Sequence, residues 1–273
     1  GDVYKRQIPN GVNKWAGKTG NAIDIINKMD MLLVPSNHNK MLFKHEGVKI
    51  PIRVVPLGIN SLYGNIERNR RSLYTFLWIG SYTKRKDPVI VVKAFIDLFF
   101  NNPKVRLIMK TQGGFTKEID LKVCKNIEVI DEFYTNEQML ELYKQADCFV
   151  FPSRGEGFGL PPLEAMATGL PVILANNTGM KDLCNEYFNY PLYKQTLEPA
   201  PSFQDDWGDI GNWSVSDLDE LKEKMLYVFN NQEEAKEKGK LASEWVKENF
   251  TFDLTAFKIK KAIEELYERR NKK

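Results

Sequence analysis

Apolar residues in this chain gather in short unbroken runs separated by stretches with helical spacing. The runs are 74–79, 105–109, 126–130, 148–151 and 171–174. Each is strand-length and predominantly apolar, the pattern of a strand buried on both sheet faces. Between them, 88–100 opens on Pro88, and 136–145 sets Met139, Leu140, Leu142 and Tyr143 on one face. A third helical stretch, 161–168, opens on Pro161 and Pro162. Proline suits the first turn of a helix, where its missing N–H has no partner to lose. Strands alternating with helices predict an α/β protein with a parallel sheet flanked by helices. Residues 187–213 are expected to be irregular and aromatic. Amphipathic helices follow at 217–229, 233–249 and 254–270, the last with a face of Leu254, Phe257, Ile259 and Ile263 that needs burial.

A smaller α/β unit precedes this body. Residues 1–20 read as loop, 21–28 as helix, 31–35 as strand and 50–55 as a second strand. Ser36 can cap a helix running to Glu46, and Gly47 can end it. The polar stretch 60–71, with Arg68, Arg70 and Arg71, is the expected boundary between the units. The opening GDVYKRQ has no initiator methionine and resembles translated adapter sequence, so the chain is expected to be a fragment.

Composition narrows the function. The net charge of +3 comes from interspersed acids and bases, not the clustered basic face that nucleic acid requires. Cys124, Cys148 and Cys184 have no metal or redox spacing, and predict reduced thiols in a cytoplasmic protein. With only His38 and His45, read as surface or packing residues, no zinc or other metal site is expected. No apolar run approaches the ~20 residues needed to span a bilayer.

In open parallel sheets, ligands bind beyond the carboxyl ends of the strands. That selects four loops: 80–87 with Lys84, Arg85 and Lys86; 110–115 with Lys110; 131–135; and 153–160 with Glu156. Gly157-Phe158-Gly159 is not a dinucleotide fingerprint, because the third glycine would fall at Pro162. Such a loop still lets backbone amides approach a ligand, and a helix start offers N–H groups to an anion. Glu164 is the sole ionisable residue between Glu156 and Lys181. With no cation near it in sequence, either the helix dipole and water satisfy it or a ligand does. So apolar a setting favours a hydroxyl-bearing ligand. Asp217-Leu218-Asp219 has a D-x-D spacing, but a Ser216 cap followed by first-turn acids accounts for it. Asp205, Asp206 and Asp209 form no recognisable ligand set, and the terminal Arg269, Arg270, Lys272 and Lys273 read as a solvated tail.

FVFPS followed by EGFGLPPLEAMATGLPVI resembles the E-x7-E motif of retaining GT-B glycosyltransferases of the family 4 type. GSYTKRKDP, FYTNEQMLELYKQAD and ENFTF stand in the same order as in that family, and MLLVPSNHNK with IRVVPLGIN resembles the end of its amino-terminal domain. The resemblance implies a Rossmann-like donor domain at 73–253 and a truncated acceptor lobe at 1–58. It also implies a linker at 59–72 and a final helix, 254–273, packing back on that lobe. It implies that Glu164 accepts hydrogen bonds from ribose hydroxyls and that Glu156 faces the donor sugar. Gly157, Phe158, Gly159 and Leu160 would contact sugar and diphosphate through their amides, and Tyr134 the base edge. Gly80, Ser81 and Lys110 would line the donor site, and Lys86 with Arg85 would neutralise the diphosphate. Ser81 replaces the family's frequent Arg, and Lys181-Asp182 its Pro-Glu.

The implied activity is metal-independent hexosyl transfer with retention of configuration. The donor would be a UDP- or GDP-sugar acting as substrate, with no cofactor. The acceptor, whether sugar, lipid-linked or protein, is left open, as is peripheral association with the inner face of a membrane. The competing readings are a non-catalytic sugar-nucleotide binding module and a GT-B-like sugar-nucleotide epimerase.

Overall fold

The computed structural model describes residues 22–66, 68, 72–112, 124–200 and 211–271. The expected loop at 1–20, Arg70, Arg71, most of the 110–115 loop, Asp205, Asp206, Asp209, Lys272 and Lys273 lie outside them.

The main body is a six-stranded parallel sheet built from β3 (Tyr74–Ile79), β4 (Val105–Thr111), β5 (Ile127–Asp131), β6 (Cys148–Phe151), β7 (Val172–Ala175) and β8 (Tyr190–Leu192), in the order β5-β4-β3-β6-β7-β8. Counted within the sheet this is 3-2-1-4-5-6, the doubly wound order, and the direction of winding reverses between β3 and β6. Those two strands share a register over only Phe76↔Cys148 and Leu77↔Phe149, whereas β3 and β4 stay paired over six residues. The ladder thus stops short of the carboxyl ends of β3 and β6, at the switch point where doubly wound sheets leave a crevice.

Successive strand residues feed opposite cores. Leu77, Ile108, Phe149, Phe151 and Leu174 point into one cluster, with α4 (Asn136–Gln145), α5 (Leu160–Ala167) and α7 (Gln232–Asn249) over it. Phe76, Trp78, Leu107, Cys148 and Val150 point into the other, under α3 (Pro88–Phe99) and α6 (Leu218–Asn230). The inner strands are therefore largely apolar on both faces, while Arg106 in β4 and Glu128 and Asp131 in β5 are polar positions toward the edge of the sheet.

Several details differ from expectation. The segment expected to be irregular contains β8, an edge strand of the sheet, and an antiparallel pair, β9 (Gln195–Pro199) with β10 (Asn212–Ser216). Pro191 inside β8 and the polar make-up of β9 hide these strands from a reading based on apolar runs. Asp217 rather than Ser216 caps α6, accepting from the Glu220 amide at 2.8 Å. Ser216 is still paired with Gln195 in β10, so the helix starts one residue later.

The smaller unit holds α1 (Ala22–Ile26), β1 (Leu32–Val34), α2 (Asn37–His45) and β2 (Ile52–Val54), with β1 and β2 parallel around Ile23, Val34, Val48 and Ile52. Ser36 caps α2 by accepting from the Asn39 amide. The last helix, α8 (Phe252–Asn271), touches this unit through Thr255 Oγ1, which donates to the Pro56 carbonyl at 2.9 Å, and through a bidentate Arg53–Glu265 pair. The face expected to be buried is not: Phe257 and Ile263 are 52% and 47% exposed, and Ala262 is the residue that packs inward. Leu254 is half-buried, and the contacts that join this helix to the lobe are the polar ones of Thr255 and Glu265.

Helix α7 crosses α5 closely because residue 239 has no side chain. A Cβ on Gly239 would stand 2.3 Å from the Gly169 carbonyl oxygen. Gly239→Ala should therefore lower stability by about 1–3 kcal/mol in urea unfolding, although Ala is intrinsically the better helix former by ~1 kcal/mol. A stabilised variant would mean that the two helices are not in this contact.

Candidate active site

Two loops meet at the crevice. Residues 80–87 follow β3 and residues 152–159 follow β6. Across the gap, Glu156 Oε1 accepts from Lys86 Nζ at 2.6 Å, Arg85 Nη1 at 2.9 Å and Ser153 Oγ at 2.7 Å. Arg85 Nη1 also donates to the Gly155 carbonyl at 2.7 Å. Lys86 and Glu156 are 12% and 11% exposed, while Arg85 is about one-third open to solvent. The Lys86 ammonium also lies over the Phe151 ring, 4.9 Å from its centre. Burial draws the Lys86 pKa down, and the Glu156 charge opposes that shift.

The backbone under this cluster is fixed from several sides. The Glu156 amide donates to Thr178 Oγ1 at 2.8 Å and the Gly179 amide donates to the Glu156 carbonyl at 2.9 Å. Thr178 sits at φ 44°, at the head of a 3-10 turn over Thr178–Asp182, and its hydroxyl donates to Asn177. Asn177 in turn donates to the Ser153 carbonyl at 3.0 Å. Arg154 ties the first loop down: its Nε donates to Asp87 at 2.7 Å and its amide to the Arg85 carbonyl at 2.8 Å. The small lobe contributes as well. Ser36 Oγ donates to the Gly157 carbonyl at 2.8 Å, and the Asn37 amide donates to Asp182 at 2.7 Å.

Glu164 has a protein partner, contrary to the sequence-based expectation. Tyr143 Oη, from α4, donates to Glu164 Oε2 at 2.9 Å. The Tyr63 ring stands edge-on to Tyr143, at 5.7 Å and 86°. Burial pushes the Glu164 carboxyl up to about 7, and the tyrosine hydrogen bond holds it below where burial alone would take it. Sequence reasoning placed Tyr143 on an apolar helix face and missed this role. A buried phenol needs a partner for its hydroxyl and so does a buried carboxylate, but only the fold brings the two together.

Other expected residues divide by what remains accessible. The Phe158 side chain is core, tilted against Phe250 at 6.0 Å, so only its backbone faces outward. Gly159 starts α5 at φ 113°, a conformation that favours glycine. Pro161 and Pro162 remove two of the amides a helix start normally offers, and the Leu163 amide bonds to the Gly159 carbonyl. Within that turn Leu160 keeps an amide for a ligand. Lys110 is buried: it donates to the carbonyls of Thr111, at 2.8 Å, and of Glu132, and lies 4.7 Å from the centre of the Tyr134 ring. It holds the 131–135 loop in place rather than presenting a charge to solvent. Gly80 donates to the Lys110 carbonyl and Ser81 is exposed. His38 is buried beside Lys181 and Asp182, and burial lowers its pKa. A separate hollow of about 300 Å³, bordered by Tyr74, Lys104, Asp147 and Pro171, lies at the opposite, amino edge of the sheet.

Residues 65–200 match the family model described as Glycosyl transferases group 1. Through that segment, just under half of its length, the chain resembles the group 1 glycosyl transferases. It is 27% identical over 198 residues to an uncharacterized glycosyltransferase, MJ1178, of Methanocaldococcus jannaschii, a match over 71% of this chain and 49% of that protein. It is 26% identical over 187 residues to the alpha-monoglucosyldiacylglycerol synthase of Streptococcus pneumoniae, over 62% of this chain and 42% of that one. The chain thus spans about half or less of these relatives' length. Among solved structures it resembles the sucrose-phosphate synthase of Thermosynechococcus elongatus, with a TM-score of 0.71 at 19% identity, over 91% of this chain and 61% of that one. It also resembles Anabaena Alr3699/HepE in complex with UDP and glucose, with a TM-score of 0.68 at 15% identity, over 89% of this chain and 66% of that one. The fold is that of GT-B glycosyltransferases.

The Glu164 shift has a measurable sign. A raised carboxyl pKa means that the folded state holds a proton the unfolded state releases. Its stabilising contribution is complete below about 4.5 and is lost as pH rises through about 7. Glu164→Gln should remove that slope and leave the unliganded variant more stable than wild type at pH 8, by about 1–3 kcal/mol. Parallel stability-versus-pH curves for the two proteins between pH 4.5 and 8 would show that Glu164 does not titrate this way.

Proposed function

We propose that this chain is the donor-binding part of a glycosyltransferase that moves a hexose from a nucleotide sugar to an acceptor. The observation that carries the proposal is the pair of cations, Lys86 and Arg85, held at the switch point of the sheet where the loop after β3 meets the loop after β6. A departing nucleoside diphosphate gains negative charge as the glycosidic bond breaks. Cations already in place lower that barrier without reorganising at the moment of reaction. In this reading the diphosphate lies against Lys86, Arg85 and the amides from Gly157 to Leu160. Glu156 faces the sugar hydroxyls and Glu164 accepts from the ribose. The base edge meets the 131–135 loop at Tyr134, next to a hollow of about 490 Å³ bordered by Ile130, Tyr134 and Gln138. Gly80 and Ser81 complete the donor side, with Lys110 supporting it from beneath.

The E-x7-E spacing supports the family 4 type and retention of anomeric configuration, and the two cations support leaving-group stabilisation without a metal. A UDP- or GDP-sugar is the proposed donor; UDP is supported by solved relatives that hold it. Residues 1–58 are then the remnant of the acceptor lobe, 59–72 the linker, 73–253 the donor domain, and 254–273 a helix returning to the lobe. The protein works in the cytoplasm or at the inner face of a membrane. Among the described residues, no helix is long and apolar enough to cross one.

Two measurements test this. Lys86→Ala should weaken UDP or GDP binding by about 1.5–3 kcal/mol in titration calorimetry, and salt should weaken the wild type; equal affinities would assign Lys86 to structure alone. Glu164→Gln should weaken binding by a similar amount, and a 2′-deoxy nucleotide should discriminate little between variant and wild type. Because ribose hydroxyls donate to the ionised carboxylate, wild-type affinity for a nucleoside without phosphates should rise between pH 6 and 8. A Gln variant with full ribose discrimination would remove Glu164 from the site.

A further inference from the structure

We propose that Glu156 holds the place of a diphosphate beside Lys86 and Arg85, and that a bound diphosphate displaces its carboxylate from them. The inference rests on the donor-binding reading above and adds a competition within the same site.

Three observations carry it. First, both cations and Ser153 converge on one oxygen, Oε1, and among the described residues no hydrogen bond reaches Oε2. The carboxylate is therefore anchored through the atom that an incoming phosphate oxygen would replace. Second, Lys86 is nearly buried between Glu156 and the Phe151 ring. An ammonium there cannot stay without an anion, because desolvating an unpaired charge costs several kcal/mol or more. The cleft needs one negative group beside Lys86 at all times, and Glu156 is that group when no ligand is present. Third, the Glu156 backbone is clamped on both sides by Thr178 and Gly179, whereas its side chain is held only through Oε1. Rotation about its side-chain bonds can transfer the cations to a phosphate without moving the loop. Two cations and one carboxylate leave a single net positive charge, so a diphosphate is the stronger competitor for Lys86 and Arg85. The released carboxylate then turns to the sugar hydroxyls, the role proposed for it above.

The competition predicts that losing the carboxylate tightens nucleoside diphosphate binding. UDP and GDP should be titrated into the whole chain and into Glu156→Gln, Ser153→Ala, Lys86→Ala and Glu156→Gln/Lys86→Ala. Glu156→Gln should bind roughly tenfold tighter than wild type, the scale of one charge-assisted hydrogen bond no longer broken on binding. That gain should shrink in the Lys86→Ala background, since the competition acts through Lys86. Ser153→Ala changes no charge, yet it frees Oε1 from one donor and should tighten binding about threefold. It also keeps the test decisive if Glu156→Gln, which leaves two cations without their carboxylate, does not fold. Ser153→Ala binding no tighter than wild type would overturn the inference. So would Glu156→Gln binding equally or more weakly, or gaining as much without Lys86, which is simple charge repulsion. In those cases Lys86→Ala still weakens binding and the donor-site reading survives. If wild type binds neither nucleotide, or Lys86→Ala binds as well as wild type, it is the donor-site reading that falls.

Discussion

A buried ammonium needs partners that replace the water it has lost; Lys110 finds two carbonyls, but Lys86 has the Glu156 carboxylate, and the candidate site is built around that pair. Lys86 reaches its position because β3 and β6 are neighbours whose crossovers leave in opposite directions, so the loops after them face each other over the same crevice. Once there, it is shielded by Phe151 and paired with Glu156. The secondary contacts follow from holding that pair. Thr178 and Gly179 fix the Glu156 backbone, Asn177 fixes Ser153, and Arg154 with Asp87 fixes the turn that presents Arg85 and Lys86. Positive φ angles at Asp87 and Thr178 belong to the same frame: residues in that region persist only where the surroundings over-determine them.

The two glutamates of the motif have different electrostatic surroundings, although only seven residues separate them. Glu156 has two cations and stays in a charged cluster. Glu164 has a phenol and an apolar setting, and takes a proton readily near neutral pH. The first is suited to trade partners with another anion. The second is suited to accept hydroxyl donors that restore its charge. Both stand on one loop–helix segment, α5 being anchored by its close packing on α7 and by the Ser243 hydroxyl on the Ala167 carbonyl.

Among the described residues, the smaller lobe is joined to the main body by directed contacts. Ser36 caps α2 and also binds the Gly157 carbonyl, while Asp182 receives the Asn37 amide at the start of the same helix. A carboxylate at a helix start is favoured by the unsatisfied amides there. The glycine loop is thus held by both units of the chain. At the other end, Arg53 and Glu265 join α8 to β2 and leave Phe257 and Ile263 in solvent.

The sequence by itself determined the first five strands of the main sheet, the helix starts at Pro88 and at Pro161-Pro162, and the two motif glutamates. These depend on spacing and local chemistry: apolar runs, capping residues and prolines act within a few positions of themselves. It also showed that Glu164 sits in an apolar stretch. Only the tertiary structure decided what satisfies each charge. Tyr143 is 21 positions from Glu164, and Lys86 is 70 from Glu156. No local pattern encodes such pairs, because they are set by the order in which strands enter the sheet. The same holds for Lys110, whose charge is turned inward to two carbonyls, and for the Phe158 side chain, which the core takes while its amide keeps the role expected of it. The β8 strand and the β9–β10 pair escaped notice because a proline-bearing edge strand and a polar hairpin gain their stability from neighbours rather than from their own apolar content.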